Sequence, residues 1–397
     1  MIANRMKQIQ PSPTIAVSAK AKALKAEGVD VIDLAAGEPD FDTPENVREA
    51  CVKALNSGKT HYTAVGGIPE LKAAIIRKLK RENNLDYAPE EIIVTCGIKQ
   101  AIFTCMQVMI NPGDEVIIPA PYWVSYPDQV RIAEGTPVIV PTTEKTGLKI
   151  TPEQLEKAIT SKTRMLIMTS PSNPTGMVYT AAELKPLIEI CKKHKIFMLS
   201  DEIYEYMVYG DTEFVSPVTL DPSIKPMALI ANGLSKSFAM TGWRVGFAAA
   251  PKEIVKAMEV WQSQSLTHIT SFVQYAAIEA LDGSRDFVHM MRDQLNKQRQ
   301  ICLNALRDMS GVTCSEPHGA FYCFPNVSAF VGKTDSDGNK MTSSQDICTY
   351  LLTKAHVATV PGEGFGAPGF LRISYACDVQ KLQTGLQRIA KALQNLK

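Results

Sequence analysis

The sequence predicts an α/β fold: a large three-layer domain around a mainly parallel sheet, joined to a smaller α+β domain. Three observations carry this. Residues 92–249 alternate short β-rich runs with longer amphipathic stretches. Several of those runs are apolar on both faces, as a sheet covered by helices on both sides requires. Beyond about residue 285 the texture changes to a long polar helical pattern followed by short strands and turns. Strand–helix alternation of the first kind implies parallel strands joined by crossover helices.

In chain order, the first forty residues are too few for a domain of their own. They read as an arm and a helix, Thr14 to Glu27, packed on another part of the protein or on a partner subunit. The expected strands are Ile92–Thr95, Glu115–Ala120, Pro137–Val140, Arg164–Ser170, Ile196–Ser200, Ala228–Ala231 and Val245–Ala249. Between them, Lys99–Ile110, Pro152–Ile159 and Ala181–His194 have helical patterns. A polar helix from Arg285 to about Met309, short strands within Gly311–Asn326 and Ala358–Tyr375, and a last helix from about Val379 complete the chain. The expected division is 1–40 (arm and part of the small domain), 41–285 (large domain) and 286–397 (small domain). A chain of 397 residues is too long for one ordinary compact domain, which agrees with that division.

Composition narrows the function class. Hydrophobic residues at 45% and charged residues at 21% argue against disorder. Basic and acidic residues nearly cancel, 42 against 41, so no nucleic-acid or membrane-surface partner is indicated. No apolar run approaches a membrane span, and MIANRMKQIQPSPTIAV lacks the apolar stretch of a secretory signal. A soluble, cytoplasmic protein is expected. The nine cysteines show no C-x-x-C spacing and the six histidines no H-x-x-x-H pair, so neither a disulfide framework nor a metal site is expected.

Five segments could carry chemistry. In Asn232–Gly246, NGLSKSFAMTGWRVG, Lys236 follows an apolar strand among small residues. A loop lysine is usually solvated, but a buried one shifts toward the neutral amine that Schiff-base chemistry needs. Ser170–Gly176, SPSNPTG, is either turn punctuation or a strand-end loop that puts Asn173 where α/β proteins bind ligands. In SDEIY, Asp201 could cap a helix or pair with a protonated ring nitrogen. In TCGIKQ, a strand ends at Gly97 and a helix begins, a junction whose backbone N–H groups favour a phosphate. In FLRISY, Arg372 is either an exposed edge-strand residue or a buried one awaiting a carboxylate. Gly362–Ala367, GEGFGA, formally matches a dinucleotide fingerprint, but Pro368 and Gly369 follow where a helix is required. It reads as a loop.

Together with AGEPDFDTP, YTAVGGIPELK and PYWVSYP, these segments occur in an order and spacing that resemble the class I aminotransferases of the fold-type-I pyridoxal-phosphate enzymes. The subgroup of bacterial aspartate aminotransferases is the most similar. The resemblance implies pyridoxal 5′-phosphate as cofactor, held covalently by Lys236, which then moves a proton at the substrate Cα. It further implies that Asp201 pairs with the ring nitrogen, Asn173 and Tyr204 with the phenolic oxygen, and Trp123 with the ring face. Gly97, Ile98 and Arg244 would hold the phosphate, and Tyr62 would reach the phosphate in the other subunit of a homodimer with shared active sites. Arg372, with Gly37 and Asn173, would hold the substrate α-carboxylate, and Lys99 the distal carboxylate of aspartate or glutamate.

The expected reaction is therefore amino transfer between L-aspartate and 2-oxoglutarate, both small molecules. Alternatives within the fold are aromatic, alanine, diaminopimelate or glutamate–prephenate aminotransferases and a cysteine-S-conjugate β-lyase. A regulator with an aminotransferase-like domain would carry an N-terminal DNA-binding domain, whereas here the pattern starts almost at once. Relatives that use prephenate have a lysine before the Pro-Ser-x-Thr segment. This chain has Gln10 there, which speaks against that substrate. Ile98 also departs from the small residue usual after the glycine.

Overall fold

The computed structural model describes residues 2–9, 11 and 13–397, so Gln10, the position bearing on prephenate, lies outside the described residues. After a 3-10 turn over Asn4–Gln8, the chain forms a helix over Pro13–Ala26 and a short strand β1 (Ile32–Asp33). Seven strands follow: β2 (Ile92–Cys96), β3 (Glu115–Ala120), β4 (Thr136–Pro141), β5 (Thr163–Thr169), β6 (Phe197–Asp201), β7 (Ala228–Gly233) and β8 (Val245–Ala249). These are the seven expected runs, with ends moved by two residues at most.

They form one sheet in the order β2-β8-β7-β6-β5-β3-β4. Every neighbouring pair is parallel except the two that involve β8, which runs against both β2 and β7. The alternation of side chains along each strand splits the core in two. Leu166, Met168, Met198 and Ile230 pack in one apolar cluster, while Met165, Ile167, Leu199 and Leu229 pack in another. A sheet buried on both faces must be apolar at consecutive positions, which is why these strands show no polar alternation. Truncating one such residue, Ile167→Ala for instance, would cost about 2–5 kcal/mol.

Beyond β8, a helix runs over Asp286–Arg307 and is followed by β9 (Tyr322–Cys323), β10 (Val357–Ala358), β11 (Val360–Pro361) and β12 (Leu371–Ser374). β12 pairs antiparallel with β11 and β9, and β10 pairs in parallel with β1. The last helix, Val379–Gln394, buries Leu382, Leu386, Ile389 and Leu393, a helical stripe. Its start is capped by Asp378, whose carboxylate accepts from the Lys381 amide at 3.0 Å. This stripe shares a core with Ile32, Leu34, Tyr322 and Ile373. Gly362–Phe365 forms a short 3-10 turn and β12 follows, so no helix follows GEGFGA, as a dinucleotide fingerprint would need.

The topology positions the site. β2, β5, β6 and β7 end at one edge of the sheet, the usual ligand edge of α/β proteins. Because β8 is reversed, it begins at that same edge, and Val245 pairs with Cys96 while Gly246 pairs with Gly233. Arg244, one residue before β8, is thereby brought beside the ends of strands far from it in sequence. No helix among the described residues is long and apolar enough to cross a membrane. Among those residues no cluster of three or more His, Cys, Asp or Glu could hold a metal ion.

Candidate active site

A cleft of about 620 Å³ opens at this edge, with Gly37, Trp123, Asn173, Asp201, Lys236 and Arg372 in its wall. Lys236 stands three residues beyond β7, half-buried, and its Nζ donates to the Gly37 carbonyl. Burial lowers its ammonium from 10.5 to about 8. The nearby Glu38 charge opposes that shift, and Arg372 and Arg244 reinforce it. Surrounding protein thus makes the neutral amine accessible near physiological pH, where a solvated lysine would hold its proton.

Asp201 is the last residue of β6 and only 4% exposed. Burial pushes its carboxyl up to about 6, against the lowering effects of the Tyr126 phenol, the Ile203 amide and the Lys236 charge. Tyr126 donates to its Oδ2 at 2.6 Å and the Ile203 N–H to its Oδ1 at 3.3 Å. Among the described residues, no arginine or lysine forms an ion pair with Asp201. A buried carboxylate without a cation is costly, so the geometry leaves room for a positively charged partner from the cleft.

Arg372, in the middle of β12, is 3% exposed, which excludes the reading of a solvated edge-strand arginine. Its Nη1 donates to Asn173 Oδ1 at 3.0 Å and its Nη2 to the Ala35 carbonyl at 2.7 Å, while Nε has no partner. The guanidinium lies over the Tyr322 ring at 4.5 Å and the Phe365 ring at 5.2 Å. These contacts fix its plane but neutralise none of its charge, leaving it to bind a carboxylate from the cleft. Asn173 is therefore tied to Arg372 directly. Tyr204 shares a hydrogen bond with Tyr322 at 2.9 Å, and burial holds its phenol protonated well above the usual range.

A third corner forms where β2 ends. Gly97 has φ 74° and caps the helix Ile98–Met109. A side-chain carbon at Gly97 would lie 2.5 Å from Arg244 Nη2, and one at Gly246 would lie 2.4 Å from Gly97 C and Ile98 N. Only glycines allow the reversed strand, the helix start and the arginine to close up. The first-turn amides lack intrahelical acceptors, and the macrodipole adds positive potential, so the corner suits an anion. Arg244, exposed toward the cleft, is steadied by Nη1 on the Thr241 carbonyl at 2.9 Å and Nη2 on the Cys96 carbonyl at 3.3 Å.

Lys99 sits at the mouth with Nζ 4.9 Å from the Trp123 ring centroid. Its side chain is solvent-accessible, yet partial desolvation, reinforced by the Arg244 charge, lowers its ammonium. Tyr62 is the one predicted site residue that stands apart. It is 90% exposed, meets His268 edge-on at 5.6 Å and lies outside the cleft wall of its own chain.

Sequence reasoning passed over several residues here. Tyr126 and Thr169 support Asp201, Tyr322 lies under Arg372, and Thr241 donates to Glu38 at 2.7 Å beside Lys236. Thr14, Ser18 and Lys22 reach the cleft from one face of the first helix at four-residue spacing. That spacing was readable, but nothing in it said which way the helix faced.

The chain matches the family model "Aminotransferase class I and II" over residues 29–389. It is 48% identical to the aspartate aminotransferase of Geobacillus stearothermophilus, with 99% of each chain covered. It is 47% identical to the aspartate/prephenate aminotransferase of Cereibacter sphaeroides, covering 98% of this chain and 97% of the other. Among solved structures, the aspartate aminotransferase from Rhizobium meliloti superposes with TM-score 0.97 at 45% identity over both full lengths. The aspartate aminotransferase from Thermus thermophilus with maleate does so with TM-score 0.93 at 42% identity, covering 99% of each.

Proposed function

This chain belongs to the class I and II aminotransferases, and within them we propose a pyridoxal-phosphate enzyme that moves the amino group of L-aspartate to 2-oxoglutarate. The products would be oxaloacetate and L-glutamate, formed in two half-reactions with ping-pong kinetics. The observation that carries this reading is Lys236 and Asp201 at the ends of adjacent strands, facing one cleft with Arg372.

The residues present fit the cofactor. Asp201 is a buried carboxylate without a cationic partner among the described residues, and a protonated ring nitrogen is such a partner. The corner at Gly97, Gly246 and Arg244 is closed to side chains and favourable to a phosphate. When bound, the cofactor supplies an electron sink that makes the substrate Cα–H acidic.

The protein does the rest. Lys236 provides the amine for covalent attachment and then carries the proton at Cα, a task suited to an amine lowered to about 8. Arg372, its plane set by Asn173 and Ala35, binds the α-carboxylate and so orients the Cα–H bond. Trp123 provides an aromatic face, and protonated Tyr204 a donor for the phenolic oxygen.

Charge supports a dicarboxylate. Lys22, Lys99, Lys236, Arg244 and Arg372 line the cleft, against Asp201 as its acidic residue. With Arg244 on the phosphate and Arg372 on the α-carboxylate, Lys99 and Lys22 remain at the mouth for a distal carboxylate, and the family resemblance assigns that contact to Lys99. The relatives' names agree, as does the maleate, itself a dicarboxylate, with which the Thermus thermophilus enzyme was solved. A homodimer in which Tyr62 completes the partner's phosphate site accounts for an aromatic residue left 90% exposed.

The test is a panel of amino donors against oxo acids. Aspartate with 2-oxoglutarate should give the highest kcat/KM, with parallel lines in double-reciprocal plots. Preference for an uncharged donor, or pyruvate release from a β-substituted substrate as the main activity, would overturn the reading. Prephenate belongs in the panel because a relative carries it in its name, and Gln10 predicts poor use.

A further inference from the structure

The Asp201 carboxylate depends on a residue that no sequence motif assigned. Tyr126 opens a short helix, Tyr126–Ile132, and is 1% exposed. Its hydroxyl lies 2.6 Å from Asp201 Oδ2 and 2.6 Å from Thr169 Oγ1. A phenol has one proton. Spent on the carboxylate, it leaves the Thr169 hydroxyl as donor to the phenol oxygen, giving a directed chain from Thr169 through Tyr126 to Asp201. Such chains polarise each bond in the same sense, and a low-dielectric surrounding strengthens them.

We propose that Tyr126, oriented by Thr169, is the positioning residue that keeps Asp201 ionised and fixed in direction, so that Asp201 can hold a protonated ring nitrogen. This rests on the functional reading above.

Opposed effects act on Asp201. Burial is the largest influence on Asp201 and favours its neutral form, while the Tyr126 bond comes first among those favouring the charged form. The charged and titratable groups facing Asp201 are few: Tyr126 from the helix beside it, Lys236 from the loop after β7, and Tyr204 on its own following turn. Burial lowers the Lys236 ammonium and so weakens it as a cationic neighbour, and Tyr204 is bonded to Tyr322. The Ile203 amide remains, at the longer distance of 3.3 Å. Tyr126 is itself held protonated, with its phenol well above the usual range through burial and then the Asp201 charge, so it stays a donor throughout the neutral range. Phenylalanine there would keep the ring and its edge contact with Trp123, at 5.3 Å, and remove only the bond.

The experiment loads native, Tyr126→Phe and Thr169→Val proteins with pyridoxal phosphate labelled with ¹⁵N in the ring, and follows the ¹⁵N shift against pH beside the cofactor dissociation constant. The native protein should keep the ring nitrogen protonated across the neutral range. Tyr126→Phe should lose that proton at lower pH and bind the cofactor on the order of tenfold or more weakly, as expected for a lost hydrogen bond to a charged group. Thr169→Val should shift both in the same direction by less, and Thr169→Ser should restore them. A merely structural tyrosine would lower the melting temperature and leave the ¹⁵N titration where it was. Folded Tyr126→Phe with native titration and affinity overturns the proposal. If that variant does not fold, an unmoved titration in Thr169→Val overturns it instead. Native protein that binds no cofactor would remove the functional reading, and this inference with it, which separates the two failures.

Discussion

The floor and the mouth of the cleft are built differently. At the floor, Asp201, Tyr126, Arg372 and Asn173 are all buried, and each finds a partner among the others or in the backbone. At the mouth, Lys99, Lys22 and Glu38 are solvent-accessible, and the contacts recorded for Lys99 are an aromatic face and a like charge. The difference separates chemistry from choice. Under the proposed function, the groups that every amino acid would meet are held rigidly in low dielectric, where misplacement by an ångström is expensive. The groups that would distinguish one side chain from another sit where water screens them and rotamers can adjust.

Floor and mouth should respond to substitution with effects of different size. The largest effect concerns Lys236. Its amine must be neutral to attach the cofactor, and burial lowers it to about 8 from the ordinary 10.5. Attachment measured by stopped-flow on cofactor-free protein should therefore rise with pH and level off near 8. Near neutral pH this gives roughly a 300-fold advantage over an exposed lysine. A rate still climbing toward 10.5 would mean the floor is not dry. Next, Arg372→Ala should lower kcat/KM by roughly 10²–10³-fold for every amino donor alike, since each has an α-carboxylate. An effect confined to dicarboxylates would contradict the division of labour.

Smaller effects belong to the mouth. Lys99→Ala should cost about tenfold in kcat/KM with aspartate and little with alanine, so the ratio of the two is the measurement. Equal losses would remove Lys99 from distal-carboxylate recognition. Lys22→Ala should cost only about threefold with dicarboxylates, and the loss should fade in high salt because the charge is exposed. A salt-independent loss would place Lys22 in a dry contact, contrary to its exposure.

The sequence carried the sheet well because its strands are buried on both faces and therefore short, apolar and bounded by polar turns. It also carried the strand-end residues Asn173, Asp201 and Lys236, since local motifs sit at fixed offsets from those strands. Arg372 was ambiguous, because burial is a property of what packs around β12 and not of FLRISY itself. Tyr126 was invisible for a related reason. PYWVSYP names an aromatic segment but not the partner, 75 residues on, that β6 brings to its hydroxyl. The direction of β8, which delivers Arg244 to the corner at Gly97, is set by antiparallel pairing with its sequence neighbour β7 and with β2, far earlier in the chain, and the second pairing has no local signature.

The central claim is that Lys236 is the amine that holds the cofactor. Borohydride reduction of the cofactor-loaded protein, followed by proteolysis and mass spectrometry, tests it most directly. One phosphopyridoxyl label is expected, on the peptide containing SKSFAM at Lys236, and none in Lys236→Ala. A label on Lys99, Lys22 or any other lysine, with Lys236 unmodified, would contradict it.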